Sequence, residues 1–337
     1  MANIGIIGLG SMGLYHANNI LKCKNANIVA VSDINKNGYE TLINKGLKNI
    51  KFFTDPFMLI EDINVDAVLI ASPDSSHYEL LKGCLANKKL VFCEKPIALD
   101  SKKALDIVNQ EIQLNKKYIA LGFNRRFDKN FLQIKHVLDN MHLGDSLLYK
   151  GLHRNDKAFY EANSAFILNN SAGHDVDISS FLLNSRPKEI SVVGIKSNHL
   201  LNEDCADLLL LNIIMQNNKM ANIEVFVNAR YGYEVMAQVV CQQGVVDYSN
   251  NNNISIKTNN KYSEGLTSDY RKYFEQSYID EMENWIAYLN HDCELQMASA
   301  FDGYAALKTT EVAAKALVSH KFEQVELINT PGLYKFN

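Results

Sequence analysis

Three groups of residues have the types and spacing to do chemistry. Gly8, Gly10 and Gly13 stand in the pattern G-x-G-x-x-G, with Ser11 and Met12 between the last two. They follow the apolar run Ile4-Gly5-Ile6-Ile7, and Asp33 closes a second such run twenty residues after Gly13. Lys95 stands just past a third apolar run, Leu90-Val91-Phe92-Cys93, within Glu94-Lys95-Pro96. His174 and Asp177 stand three apart in Gly173-His174-Asp175-Val176-Asp177.

Each glycine has its own task. Gly8 allows a tight turn out of a strand, Gly10 lets the backbone come close to a pyrophosphate, and Gly13 lets a helix pack on the strand. The helix that follows, roughly over 12–21, then offers N–H groups and a positive dipole end to the phosphates. Asp33 can accept hydrogen bonds from ribose hydroxyls. It would repel a 2′-phosphate, and no Arg follows it, so the expected cofactor is NAD rather than NADP. An ordinary doubly wound domain with an empty glycine turn is the bland alternative.

Lys95 is expected at the carboxyl edge of a parallel sheet, where ligands bind. Its ammonium can hold a substrate hydroxyl and favour the alkoxide as a hydride leaves; otherwise it is a surface lysine in a turn. His174 is a suitable base near pH 7, and Asp177, on the same helix face, can orient it or hold substrate. A histidine with a purely structural place at a helix start is the alternative. Ser72 opens the loop Ser72-Pro73-Asp74-Ser75-Ser76-His77 at another strand end. There His77 has two readings, cofactor contact or a structural role at the start of a helix. Arg125 and Arg126 either contact substrate or brace a domain junction. The cofactor set is thus Gly8, Gly10, Ser11, Met12, Gly13, Asp33, Ser72, His77, Glu94 and Lys95.

The elements that must position these residues follow from periodicity. Strands are expected at 4–7, 28–31, 50–53, 67–71, 90–93 and 118–122, with helices between them. Asp55 before Pro56 caps one helix, and Ser101 is expected to cap another. The run 67–71 is unbroken and apolar, as in a parallel sheet covered on both faces. From 146 the pattern changes to strands at 146–154, 190–196, 206–215, 220–229 and 234–242 with little helix between, which implies a mostly antiparallel sheet. Residues 249–253 read as a solvated loop, and 270–289 and 298–318 as long helices. The expected fold is α/β: a Rossmann dinucleotide-binding domain over 1–123 and a C-terminal α/β domain with an open sheet over 124–337.

Composition narrows the classes. The chain has 337 residues and a net charge of −4, so it has no general attraction to nucleic acid or an anionic membrane. No apolar run reaches the roughly 18 residues needed to span a bilayer. The first strand begins too near the start of the chain for a signal peptide. Six scattered cysteines without a C-x-x-C pair fit reduced thiols in a cytoplasmic protein, with no metal site expected.

With the glycine motif, Asp33, Glu94-Lys95-Pro96 and the His174 loop in this order, the chain resembles the Gfo/Idh/MocA family of NAD(P)-dependent oxidoreductases over nearly its whole length. Within the family it most resembles the bacterial inositol 2-dehydrogenases. That resemblance is carried by Phe92-Cys93-Glu94-Lys95-Pro96, Gly122-Phe123-Asn124-Arg125-Arg126-Phe127-Asp128 and His153-Arg154-Asn155. It continues in Val227-Asn228-Ala229-Arg230-Tyr231-Gly232-Tyr233 and Asp302-Gly303-Tyr304.

The resemblance implies NAD-dependent oxidation of a secondary hydroxyl of a cyclic polyol, with myo-inositol to 2-keto-myo-inositol as the leading reaction. It also implies a homotetramer packed through the sheet faces. Lys95 would polarise the reacting hydroxyl and His174 would be the base. His153, Asp177 and Tyr233 match positions that hold cyclitol hydroxyls, with Arg125 a further candidate. One position departs from the pattern: the family has Asp four residues before the histidine, and here it is Asn170. An amide keeps the shape but not the charge that would stabilise an imidazolium. Another inositol isomer or sugar derivative, or a catalytically weakened NAD-binding sensor, are the rival readings.

Overall fold

The computed structural model describes residues 1–157, 163–197, 205–248, 255–258, 261–264 and 267–335. The stretch 249–253 lies outside them. The chain divides into two compact units: Met1–Asn124 with Gln276–Tyr304 and Asn329–Asn337, and Arg125–Glu275 with Ala305–Ile328. The second unit is therefore not continuous in sequence, because Gln276–Tyr304 belongs with the N-terminal unit.

The first unit is a Rossmann fold. Its strands are β1 (Ala2–Ile7), β2 (Ala26–Ser32), β3 (Lys51–Phe53), β4 (Ala67–Ile70), β5 (Leu90–Cys93) and β6 (Ile119–Leu121). They pair in parallel in the order β6-β5-β4-β1-β2-β3. All four residues of β4 are buried, as the unbroken apolar run requires of a strand covered on both faces. The helices α1 (Ser11–Lys22), α2 (Asn37–Asn44), α3 (Pro56–Glu61), α4 (His77–Ala86) and α5 (Ser101–Leu114) connect them. Asp55 caps α3 by accepting the Phe57 N–H at 2.9 Å. The cap of α5 is Asp100, which accepts the Lys103 N–H at 2.9 Å, and not Ser101, which is the first helical residue. Carboxylates and hydroxyls cap equally well, so sequence alone does not separate the two.

Late segments complete this unit. A two-residue strand of the later chain, Ala298–Ser299, adds antiparallel to β6. The C-terminal Tyr334 stacks on Phe301 and donates its hydroxyl to Glu111 at 2.6 Å. Glu111 also accepts two backbone N–H groups, from Tyr118 and Ile119.

The second unit holds α6 (Lys129–Asp139), β7 (Ser146–Arg154), α7 (Ser164–Ile167), α8 (Gly173–Leu183), β8 (Pro187–Ile195), β9 (Leu208–Met215), β10 (Met220–Phe226), β11 (Glu234–Cys241) and β12 (Gly244–Tyr248). A hairpin of β13 (Ser255–Thr258) and β14 (Lys261–Glu264) follows, then α9 (Tyr270–Tyr273) and α10 (Glu275–Leu289), of which all but Glu275 belongs to the first unit. The strand Ala298–Ser299 is β15, α11 covers Ala300–Ser319, and β16 is Glu323–Gln324. The large sheet of this unit runs β12-β11-β7-β10-β9-β8-β16. Its pairs are antiparallel except β7 with β10. One face carries Leu209, Leu211, Ile213, Val225 and Val235, all fully buried. The register places Val193, Leu210, Met220 and Val245 on the opposite face, 60%, 40%, 43% and 51% exposed.

All six cysteines are free thiols. No helix among the described residues is long and apolar enough to cross a membrane. No group of three or more His, Cys, Asp or Glu among them could hold a metal.

Candidate active site

The glycine turn has the shape its spacing predicts. Gly8 takes φ +88°, and a Cβ there would fall 2.5 Å from the Ser72 nitrogen. A Cβ on Gly13 would fall 1.9 Å from the Gly8 carbonyl oxygen, so only glycine lets α1 approach β1 this closely. Gly10 differs: nothing among the described residues lies within 4 Å of its absent Cβ. It is the N-cap of α1, without a side-chain cap and without an acid in the first turn. An open, uncapped helix start of positive polarity is suited to a pyrophosphate. Asp33 accepts the Leu9 N–H at 2.7 Å and the Asn35 N–H at 3.2 Å. It therefore steadies the turn, and each oxygen keeps a further lone pair for a ligand hydroxyl. Ile34 beside it is 91% exposed. These features fit NAD.

Glu94-Lys95-Pro96 leaves β5 with a cis Lys95–Pro96 bond. Glu94 accepts a hydrogen bond from His16 Nε2 at 2.6 Å. Burial by itself would raise this carboxyl, but the His16 bond, with the charges of His16 and Lys95, holds it below the ordinary carboxylate range. His77 is fully buried, with Nδ1 2.7 Å from the Pro96 carbonyl and Nε2 3.0 Å from the Ser72 carbonyl. Its side chain thus braces the loop after β4 against the loop after β5, which is the structural one of its two readings. Ser72 pairs its hydroxyl with that of Ser76 at 2.6 Å.

In the second unit a polar cluster is built on α8, β7 and the turn before α6. Arg125, 2% exposed, donates to Asp175 at 2.5 Å, and its guanidinium lies over the Phe274 ring. His153 Nδ1 is 2.9 Å from Asp175 Oδ2 and 3.0 Å from Arg125 NH2. Its Nε2 is 3.4 Å from the Tyr233 hydroxyl. Tyr233 is ringed by Tyr273, Phe274 and Tyr270. Burial, then the Arg125 charge, lower the His153 pKa despite Asp175, so this imidazole is neutral at pH 7. The Asp175 carboxyl, which burial would raise, is held low by Arg125 and His153. Burial pushes the Tyr233 phenol up to about 12. The cluster is a buried array of mutually hydrogen-bonded polar groups, of a kind suited to a polyhydroxylated ligand.

His174 opens α8, half-buried, and Asn170 is exposed in the π-helical turn Leu168–Ala172 just before it. Single π turns within helices occur often at functional sites. Asp177 accepts both Nε and NH2 of Arg126, at 2.9 and 2.5 Å. The two arginines therefore brace the start of α6 against α8, Arg125 on Asp175 and Arg126 on Asp177.

Sequence reasoning missed His16 and Asp175. Both had a signal. His16 shares the buried stripe of α1 with Gly13, Ala17 and Ile20. Asp175 shares one of α8 with Ile178 and Leu182. A titratable group on an apolar stripe requires a partner.

The N-terminal region, residues 2–122, matches the Gfo/Idh/MocA oxidoreductase family model for its NAD-binding Rossmann fold, and residues 131–247 match the family's C-terminal domain. Inositol 2-dehydrogenase 1 of Saccharopolyspora erythraea is 30% identical over 334 residues, covering 98% of each chain. Inositol 2-dehydrogenase 2 of the same organism is 29% identical over 333 residues, also covering 98% of each. Among solved structures, myo-inositol dehydrogenase from Lactobacillus casei, in complex with NAD(H) and myo-inositol, superposes with a TM-score of 0.93. It is 26% identical, and 99% of each chain is covered. The chain belongs to the Gfo/Idh/MocA family of oxidoreductases, and its first domain is that family's NAD-binding Rossmann fold.

Proposed function

We propose that the protein oxidises a secondary hydroxyl of an inositol, with myo-inositol to 2-keto-myo-inositol as the leading reaction. The observation that carries this reading is full-length likeness to a myo-inositol dehydrogenase in a chain that keeps both Lys95 and His174. NAD, when bound, supplies the hydride acceptor. Lys95 donates a hydrogen bond to the reacting hydroxyl oxygen and stabilises negative charge as it develops there. His174 takes the hydroxyl proton. Asn170 holds the imidazole or a substrate hydroxyl through its amide. His153, Arg125, Asp177 and Tyr233 hold or border the remaining hydroxyls.

Tautomer matters for His153. A hydrogen on Nδ1 directed at Asp175 makes a charge-assisted bond. The opposite tautomer would gain an Arg125 N–H but set a lone pair against the carboxylate. We therefore assign Nδ1–H to Asp175, which leaves Nε2 an acceptor for a hydroxyl, that of Tyr233 or of substrate.

The reading extends to a cytoplasmic homotetramer, in which the exposed apolar sheet face of Val193, Leu210, Met220 and Val245 is covered by another copy. A second reading, a weakened NAD-binding sensor, is favoured by one observation, the neutral Asn170. Steady-state kinetics with NAD on myo-, scyllo- and chiro-inositol, glucose and sugar derivatives separates these. Highest kcat/KM on myo-inositol is expected. A preference for another isomer or a sugar would replace the substrate, and NAD binding without turnover would favour the sensor.

A further inference from the structure

We propose that His16 and Glu94 are a positioning pair: one buried hydrogen bond ties the helix that starts at the phosphate turn to the residue preceding Lys95, so that cofactor and lysine are set together. The inference rests on the reading of Lys95 as the substrate-polarising group.

His16 lies one turn into α1, three residues after Gly13, and is fully buried. Phe92 and Tyr278 hold its ring edge-on, at centroid distances of 5.0 and 6.1 Å. Its Nδ1 has no hydrogen-bond partner among the described residues, so the ring's hydrogen bonding there is the single bond to Glu94. Glu94 is held at its second oxygen too. Oε2 accepts the Lys95 backbone N–H at 3.3 Å, and a Cβ on Gly122 would fall 3.2 Å from that oxygen. The carboxylate therefore cannot turn without leaving His16 or disturbing the backbone of Lys95.

Plain packing does not require this arrangement. An apolar pair would fill the same space without an ionised group to bury. A charge-assisted bond at 2.6 Å adds direction, and direction matters where a misplacement of about 1 Å costs roughly 100-fold in rate. The pair joins the two segments of this unit that must face one cofactor, the phosphate turn and the loop after β5.

The test uses the full-length protein with His16→Leu, His16→Asn and His16→Gln. Gln can place an amide N–H near the Nε2 position; Asn is polar but too short. NAD is titrated by the emission of Trp285, the chain's single tryptophan, which packs on Phe92 at 5.7 Å. Melting temperature, kcat, inositol KM and the isotope effect with inositol deuterated at the reacting carbon are read alongside.

For Leu and Asn, NAD affinity should fall about fivefold or more. Their kcat should fall roughly 100-fold with a raised isotope effect, while inositol KM moves less than about threefold. Gln should restore affinity and kcat to within about threefold of wild type. Leu and Asn variants that bind NAD and turn over like wild type would overturn the proposal. So would Gln failing alongside them with an equally lowered melting temperature, which marks support of the fold alone. If the wild type is silent on every inositol, the proposed function fails. The NAD titration still decides the pair: weakening in Leu and Asn with recovery in Gln supports it, and equal affinity in all variants overturns it.

Discussion

His153 Nδ1 lies 2.9 Å from Asp175 Oδ2, and both side chains are buried. The same carboxylate receives Arg125 at 2.5 Å, so one anion balances one cation and fixes one imidazole. Removing the anion leaves a guanidinium buried without a counter-charge. Asp175→Asn should therefore lower unfolding free energy by about 3–5 kcal/mol, read from urea denaturation. Replacing the pair together, Arg125→Met with Asp175→Leu, should recover much of that stability while leaving activity low. A midpoint for Asp175→Asn equal to wild type would refute this account of the cluster.

Asn170 supplies shape without charge. If His174 is the base, a carboxylate at 170 should stabilise the imidazolium that forms as the proton arrives. Asn170→Asp is expected to raise kcat at least about tenfold, against a ceiling near 10⁴ for an orienting carboxylate. A slower or unchanged variant would show that the site is adapted to the amide.

Glu111 makes stability depend on pH. Burial outweighs the hydrogen bonds from Tyr334, Ile119 and Tyr118 and pushes its carboxyl from 4.5 up to about 7. Between those values the folded chain binds more protons than the unfolded chain, so this contribution is present below pH 4.5 and is lost as pH rises through about 7. Relative to Glu111→Gln, the wild type should lose about 2–4 kcal/mol between pH 4.5 and pH 8. Parallel stability curves for the two proteins would contradict this.

Cofactor choice rests on Asp33 and its neighbour. With Asp33 at the ribose, as its spacing predicts, a 2′-phosphate would meet its carboxylate, and exposed Ile34 offers no counter-charge. Asp33→Ser with Ile34→Arg should narrow an NAD preference in kcat/KM by about 100-fold or more, roughly 3 kcal/mol. Some NAD affinity should be lost as well, because Asp33 also holds the Leu9 N–H. An unchanged preference would move the selectivity elsewhere.

Assembly is tested at the open sheet face. Val193→Lys with Leu210→Glu replaces the apolar face with opposite charges on directly paired residues of β8 and β9, which can pair within the sheet. Sedimentation should show a tetramer for the wild type and smaller species for the variant, with the melting temperature of the isolated chain little changed. A wild-type monomer would remove the assembly from the account.

Much of the fold was legible because parallel strands buried on both faces read as apolar runs, and 67–71 became β4 almost unaltered. Gly8, Gly10 and Gly13 were legible because the turn tolerates no Cβ at two of them and presents open space at the third. The parallel pairing of β7 with β10 was not, because alternation states which face is buried but not which strand lies alongside. Nor was the return of Gln276–Tyr304 to the first unit, which depends on contacts far apart in sequence. His16 and Asp175 escaped because their meaning lies in distant partners, Glu94 and Arg125. Lys95 and His174 stand out in the sequence at a strand end and a helix start, but local pattern alone leaves a turn lysine and a structural histidine open; their proposed roles come from the family resemblance.

The most direct test of the central claim is NADH formation from NAD and myo-inositol by the purified wild type, with Lys95→Ala and His174→Ala beside it. Steady turnover by the wild type is expected, with a loss of about 10²-fold or more in kcat for each variant and with NAD affinity retained in His174→Ala. No NADH from any inositol, or turnover that survives both substitutions, would contradict it.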